Sequence, residues 1–144
     1  MNTKLNIKGF ISNLLIAVFI LTASSVLTAQ KKKLNDLKHF IIIIENTENG
    51  IKMQNIQGCA WLDLTFSFIN NPRAIDEYGM TKSNKAPSYK HKDANLANFL
   101  FTVKKTKKGV VLKGIKGTAW TDLSFSLAKN EKKAIDEYGM TTLN

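Results

Sequence analysis

The chain has 144 residues, 21 basic against 11 acidic side chains, one cysteine and a formal net charge of +10. That length suits one domain rather than two well-buried ones, and a single cysteine excludes an intramolecular disulfide framework. His39, His91 and Cys59 make no zinc spacing, no histidine has a nucleophile partner in sequence, and no phosphate-cradling glycine loop occurs.

The first 29 residues have the order of a secretory signal peptide. Lys4 and Lys8 form a positive start with no acidic residue, Leu14 to Leu21 is an unbroken apolar run, and small and polar residues lead to Leu27-Thr28-Ala29. Charge orients such a segment, the apolar run enters the translocon, and small side chains fit the peptidase. Cleavage is expected after Ala29, with Ser25 as the fallback. The competing reading is an uncleaved anchor over residues 10–29, but Ser12, Asn13 and the later hydroxyl residues dilute that stretch. No cysteine follows the apolar run, which argues against a lipid anchor. Cleavage leaves 115 residues with a net charge of +8, because only Lys4 and Lys8 are lost, and no transmembrane segment. The expected compartment is the periplasm or the exterior.

After a lead-in over residues 30–39, the chain repeats itself. Residues 40–81 align with residues 99–141, and nearly half of the aligned positions are identical. The offset is 59 residues through Ser67/Ser126 and 60 from Ala74/Ala134, so one residue is inserted between. We read this as an internal duplication, with unit 1 at 40–81, a polar linker at 82–98 and unit 2 at 99–144.

Within each unit the apolar pattern has the period of two that marks half-buried strands. Phe40, Ile42 and Ile44 alternate, as do Phe99, Phe101 and Val103. Thr47 to Gly50 and Thr106 to Gly109 suit a type I turn whose glycine sits at positive φ in a G1 bulge. Ile51 and Met53 follow, then the alternating run Leu62 to Phe68. Ala74-Ile75 predicts a fourth short strand, and Asp76-Glu77-Tyr78-Gly79 a type I turn with Asp first and Gly last. Each unit is thus expected to hold about four short strands in up-and-down order. One unit buries too little surface to stand alone, so the two are expected to pack as one all-β, pseudo-twofold sandwich or flattened barrel.

At G-C-A-W-x-x-L-x-F-S followed by A-I-D-E-Y-G-M, the sequence resembles short exported proteins of unknown function from flavobacteria and their relatives, built as a signal peptide and one or two copies of this unit. The resemblance spans the mature chain and implies export and a small β module. It brings no activity, cofactor or catalytic residue. Thr118 stands where unit 1 has Cys59, so the unit does not require the thiol. A buried thiol is the favoured state of Cys59, and pairing with another chain is the alternative.

The carboxylates shared by both units are Asp63/Asp122, Asp76/Asp136 and Glu77/Glu137. They read either as an acid–base pair or calcium site, or as turn-forming Asp76 beside a solvated Glu77. The second reading is favoured, so no catalytic, cofactor or metal residue is assigned and an enzyme is not expected. Trp61 and Trp120 fall by alternation on the outer face with Asp63 and Asp122, as in a sugar-stacking platform. The plainer reading is that Gly58 and Gly117 twist the chain and fold each indole over the core rim.

Unit 1 has a net charge of −3 and residues 99–141 one of +5. Lys104, Lys105, Lys107 and Lys108 crowd one hairpin tip where unit 1 carries Glu45, Asn46, Glu48 and Asn49. Such a tip is either a solubilising guard on a sheet edge or a binding surface. The reading of the whole is an exported, non-enzymatic β protein that binds or builds within the cell envelope. The alternative is a binder of polyanions or anionic glycans through the four lysines, all facing outward. Envelope polyanions, glycans and proteins are the partners to test, together with self-association.

Overall fold

A computed structural model describes residues 34, 36–67, 71–81 and 88–143. The signal-peptide helix and its cleavage site lie outside these residues, as do half of the lead-in and the first part of the linker. Ten strands follow in order: β1 (Ile41–Thr47), β2 (Gly50–Gln57), β3 (Asp63–Ser67), β4 (Arg73–Asp76), β5 (Gly79–Thr81), β6 (Leu100–Lys105), β7 (Gly109–Lys116), β8 (Asp122–Ser126), β9 (Lys132–Asp136) and β10 (Gly139–Thr141). Each unit contributes five strands where four were expected, because the Asp-Glu-Tyr-Gly turn closes a further hairpin onto Gly-Met-Thr.

The strands form two open five-stranded antiparallel sheets, ordered β10-β9-β1-β2-β3 and β5-β4-β6-β7-β8. The first three strands of each unit follow the up-and-down order, but the last hairpin leaves its own unit. Strands β4 and β5 of unit 1 join the sheet of unit 2, Ala74 to Asp76 opposite Thr102 to Leu100. Strands β9 and β10 return the exchange, Ile135 opposite Ile42. Neither sheet is complete within one unit.

The inward faces follow from the period-two pattern. Phe40, Ile42, Ile44, Ile51 and Met53 from one sheet meet Phe99, Phe101, Val103, Val110 and Leu112 from the other, with Ile75 and Ile135 from the exchanged hairpins. The equivalent residues Phe40 and Phe99 touch, ring centroids 4.6 Å apart, and Phe99 stacks on Phe101 at 5.3 Å. Truncating one such ring to alanine costs about 3–5 kcal/mol, through lost transfer energy and the cavity left behind.

Both long hairpins carry a bulge at the same place. Ile41 pairs with Gln57 and Ile42 with Asn55, so Ile56 is extruded; Ile115 is extruded between the partners of Leu100 and Phe101. A bulged residue drops out of the ladder, which is why these two isoleucines are 51% and 44% exposed.

The turn glycines meet the positive-φ expectation in unit 1 and correct it in unit 2. Gly50 has φ of 157°, at the margin of extended backbone, and Gly109 is not at positive φ. What both positions exclude is a Cβ, which would lie 2.0 Å from the carbonyl oxygen of Phe66 or of Phe125 on the neighbouring strand. Close backbone approach selects glycine at both positions, and positive φ adds to it at Gly50 alone.

Candidate functional site

Trp61 and Trp120 do not lie on the outer face. The segment between β2 and β3 leaves the pleat at Gly58 (φ 91°), and that between β7 and β8 at Gly117 (φ 71°), so strand alternation does not extend back to the tryptophans. Both indoles fold into the core rim, 8% and 9% exposed. Each Nε1–H donates to a carbonyl of the opposite sheet, Trp61 to Asp76 and Trp120 to Asp136, both at 3.0 Å. The amides of Ala60 and Ala119 donate to the carbonyls of Glu77 and Glu137, at 2.8 and 2.7 Å. The Ala-Trp pair and the Asp-Glu pair, distant in sequence, therefore clasp each other in both units.

The Asp-Glu-Tyr-Gly turns are held from within. Asp76 Oδ1 accepts the amides of Tyr78 and Gly79 at 2.8 and 3.0 Å, and Asp136 Oδ1 those of Tyr138 and Gly139 at 2.7 and 2.9 Å. This is the Asx-type turn expected of an aspartate in first place. The glutamates correct the expectation of a solvated side chain: Glu77 is 5% and Glu137 4% exposed. The Glu137 carboxylate sits 2.9 Å from His39 Nδ1 and accepts the amide of Phe40 at 3.2 Å. That fixes the start of β1 to the turn of the other unit. At the position equivalent to His39, Asn98 accepts from Lys116 Nζ at 2.7 Å instead.

The described part of the linker, residues 88–98, is a strap rather than a spacer. Tyr89 donates its hydroxyl to Asp76 Oδ2 at 2.6 Å, and its ring lies against Tyr78 with centroids 4.3 Å apart. The amide of Asp93 donates to the Tyr78 hydroxyl at 2.9 Å, and Ala97, fully buried, donates to the Gly58 carbonyl at 2.8 Å. Burial, reinforced by the bond to the Asp76 carboxylate, raises the pKa of the Tyr89 phenol. Nearby, Cys59 packs against the core as a free thiol. Burial, and behind it the charges of Glu77 and Asp76, push its pKa up to about 12. Such a thiol is inert at neutral pH.

The lysine hairpin divides. Lys104, Lys107 and Lys108 are exposed, whereas Lys105 turns inward and donates to the Oδ1 of Asn46, its equivalent in unit 1. Partial burial lowers the Lys105 pKa. Four lysines facing outward is thus corrected to three, because the alternation of β6 still governs residue 105 at the end of the strand. The acidic tip of unit 1 is neutralised by the exchanged segment: Lys129 lies 2.5 Å from Glu48 and Lys132 3.5 Å from Glu45. Among the described residues no carboxylate comes within ion-pair distance of Lys104, Lys107 or Lys108.

Sequence reasoning missed the His39–Glu137 contact, the Tyr89–Asp76 bond and the Lys129–Glu48 pair, which all depend on the exchange of hairpins or the fold of the linker. Among the described residues no group of three His, Cys, Asp or Glu side chains comes together as metal ligands, and no helix is long and apolar enough to cross a membrane. No protein-family model, curated protein or solved structure matches the chain.

Proposed function

We propose that this is an exported, internally duplicated, non-enzymatic β protein that acts in the cell envelope by binding, and that the tip of the β6–β7 hairpin is its polyanion-binding surface. The residue types that would serve catalysis have structural duties instead: Asp76 and Asp136 hold their turns, and Glu137 anchors β1. The observation that carries the reading is the asymmetry of the two tips. Unit 1's acidic tip is consumed by Lys129 and Lys132 of the same chain, while Lys104, Lys107 and Lys108 stay exposed. Three ammonium groups around one turn attract clustered phosphates, sulfates or uronates with little regard to sequence. Replacing Lys104, Lys107 and Lys108 by Glu, Glu and Asn, the residues of the first tip, is expected to abolish heparin retention without unfolding the protein. Unchanged retention would remove the polyanion reading.

A further inference from the structure

Arg73 and Lys133 hold equivalent places near the starts of β4 and β9, and both stand on an inward face. Arg73 lies opposite Val103 in its ladder and Lys133 opposite Ile44, and directly paired residues share a face. Val103 and Ile44 are buried, so each unit brings one cation to the core rim where the alternation calls for an apolar residue. What satisfies the two cations differs. Lys133 donates to the Ser126 carbonyl at 2.8 Å, lies 6.0 Å from the Phe125 ring centroid and pairs with Glu131 at 3.3 Å. The chain thus supplies that cation with a carboxylate. It supplies none to Arg73. Residues 68–72, the loop before it, hold no acidic residue. All 11 acidic side chains of the chain belong to described residues, and none comes within ion-pair distance of the guanidinium.

Arg73 instead edges a cleft between the two sheets. Buried Ile51 and Val103 and half-buried Phe66 form its floor, and exposed Arg73 and Ser67 stand at its rim with Lys105. Lys105, already bonded to Asn46, adds positive field and places the cleft at the root of the hairpin whose tip carries Lys104, Lys107 and Lys108. The cleft measures about 230 Å³ with its open mouth, below the range of about 300–1,000 Å³ usual for drug-sized ligands. We propose that it seats one uronate ring of an anionic glycan, the carboxylate on Arg73 and the ring's apolar face on Phe66. This names the class of polyanion that the neighbouring tip serves, and it rests on that reading. Glu131 shows at the twin position that a carboxylate is the anion this geometry takes. A guanidinium receives one through two parallel N–H bonds, which fixes orientation as well as charge. The apolar floor adds what a bare inorganic anion cannot use.

The test is a titration of the 15N-labelled protein with glucuronate, glucose and inorganic sulfate. Glucuronate at millimolar concentration is expected to shift the amides of Phe66, Ser67 and Arg73. Glucose at the same concentration should shift none of them, and sulfate should bind more weakly because it leaves the floor uncovered. Arg73→Gln should weaken glucuronate about tenfold, the usual cost of losing a hydrogen bond to a charged group. Arg73→Lys keeps the charge without the fork and should restore only part of the affinity. Both variants keep a polar side chain at an exposed position, so the fold is retained. The Lys104→Glu, Lys107→Glu, Lys108→Asn variant should lose heparin and keep the glucuronate shifts, whereas Arg73→Gln should do the reverse. The two surfaces therefore fail separately. No shift at the cleft, equal shifts with glucose, full affinity in Arg73→Gln, or sulfate bound as tightly as glucuronate would each overturn the uronate seat and leave the lysine tip standing.

Discussion

Trp61 donates its indole N–H to the carbonyl of Asp76 across the sandwich, and the bond recurs at the same length between Trp120 and Asp136. The donor belongs to the sheet of β1 to β3 and the acceptor to the sheet that β4 joins, so each bond ties a unit to its own departed hairpin. Trp→Phe at either site keeps most of the ring volume and strands the carbonyl, at an expected cost of about 1–2 kcal/mol in denaturant unfolding. Trp→Ala should cost about 3–5 kcal/mol. With both indoles buried, glycan titration is expected to leave tryptophan emission unchanged; a saturable glycan-dependent quench lost in a folded Trp→Ala variant would restore the sugar-platform reading.

The exchanged hairpins predict how the molecule unfolds. Each sheet needs strands from both units, so loss of one unit removes two strands from the other's sheet and opens the shared phenylalanine core. Unfolding monitored by circular dichroism and by fluorescence should trace one coincident transition. Residues 30–88 alone lack the strands that pair with β4 and the far side of β1, so this fragment is expected to be unfolded, or dimeric through mutual exchange of β4–β5. A monomeric fragment with cooperative unfolding would contradict the interlock.

The strands and the core-facing residues were legible because period-two alternation reports directly on burial, and two aligned stretches with the same pattern remove most ambiguity. The exchange was not legible. Ala74-Ile75 pairs equally well in pattern with β1 of its own unit or with β6 of the next, and period-two alternation does not distinguish the two partners. The tryptophans follow the plainer of their two readings: the backbone leaves the pleat at Gly58 and Gly117, and each indole folds over the core rim. The burial of Glu77 and Glu137 had no local signal, because their cover comes from elements remote in sequence. Nor did the polar composition of the linker reveal that Tyr89 and Ala97 hold it to the sandwich.

Cys59 gives a pH prediction with a definite sign. Its pKa is about 12 in the folded chain against an ordinary value of 9.0. Below pH 9 the thiol is protonated in both states and burial is undisturbed; as pH rises from 9 towards 12 the unfolded chain ionises first. Stability should therefore fall across that window, and Cys59→Ala should flatten the alkaline limb. Tyr89, also raised, steepens the same limb, and Tyr89→Phe should reduce it further. Iodoacetamide at pH 8 should label native Cys59 on the order of a thousandfold more slowly than an unstructured thiol, in proportion to thiolate. Rapid native labelling would mean that the thiol is open to solvent.

The inward turn of Lys105 separates charge from structure at the hairpin tip. Lys105 reaches Asn46 across the sandwich, whereas Lys104, Lys107 and Lys108 face solvent. Lys105→Asn should accordingly leave heparin elution almost unchanged while lowering stability by about 1 kcal/mol, the usual worth of a hydrogen bond. Single substitutions at Lys104, Lys107 or Lys108 should do the reverse. With three rather than four ammonium groups available, log K against log salt should fall with a slope of about −2 to −3, since each neutralised phosphate contributes between about −0.7 and −0.9. Removing one exposed lysine should make that slope shallower by about one such step, a signature that lost stability cannot imitate. Self-association through opposite tips would give another pattern, in which the substitutions change oligomer size. The engagement of Glu45 and Glu48 by Lys132 and Lys129 argues against it, because the acidic partner is already neutralised within the chain. Sedimentation of the Lys104→Glu, Lys107→Glu, Lys108→Asn variant should match the parent at every salt concentration; salt-sensitive oligomers of the parent alone would assign the tip to assembly instead of polyanion binding.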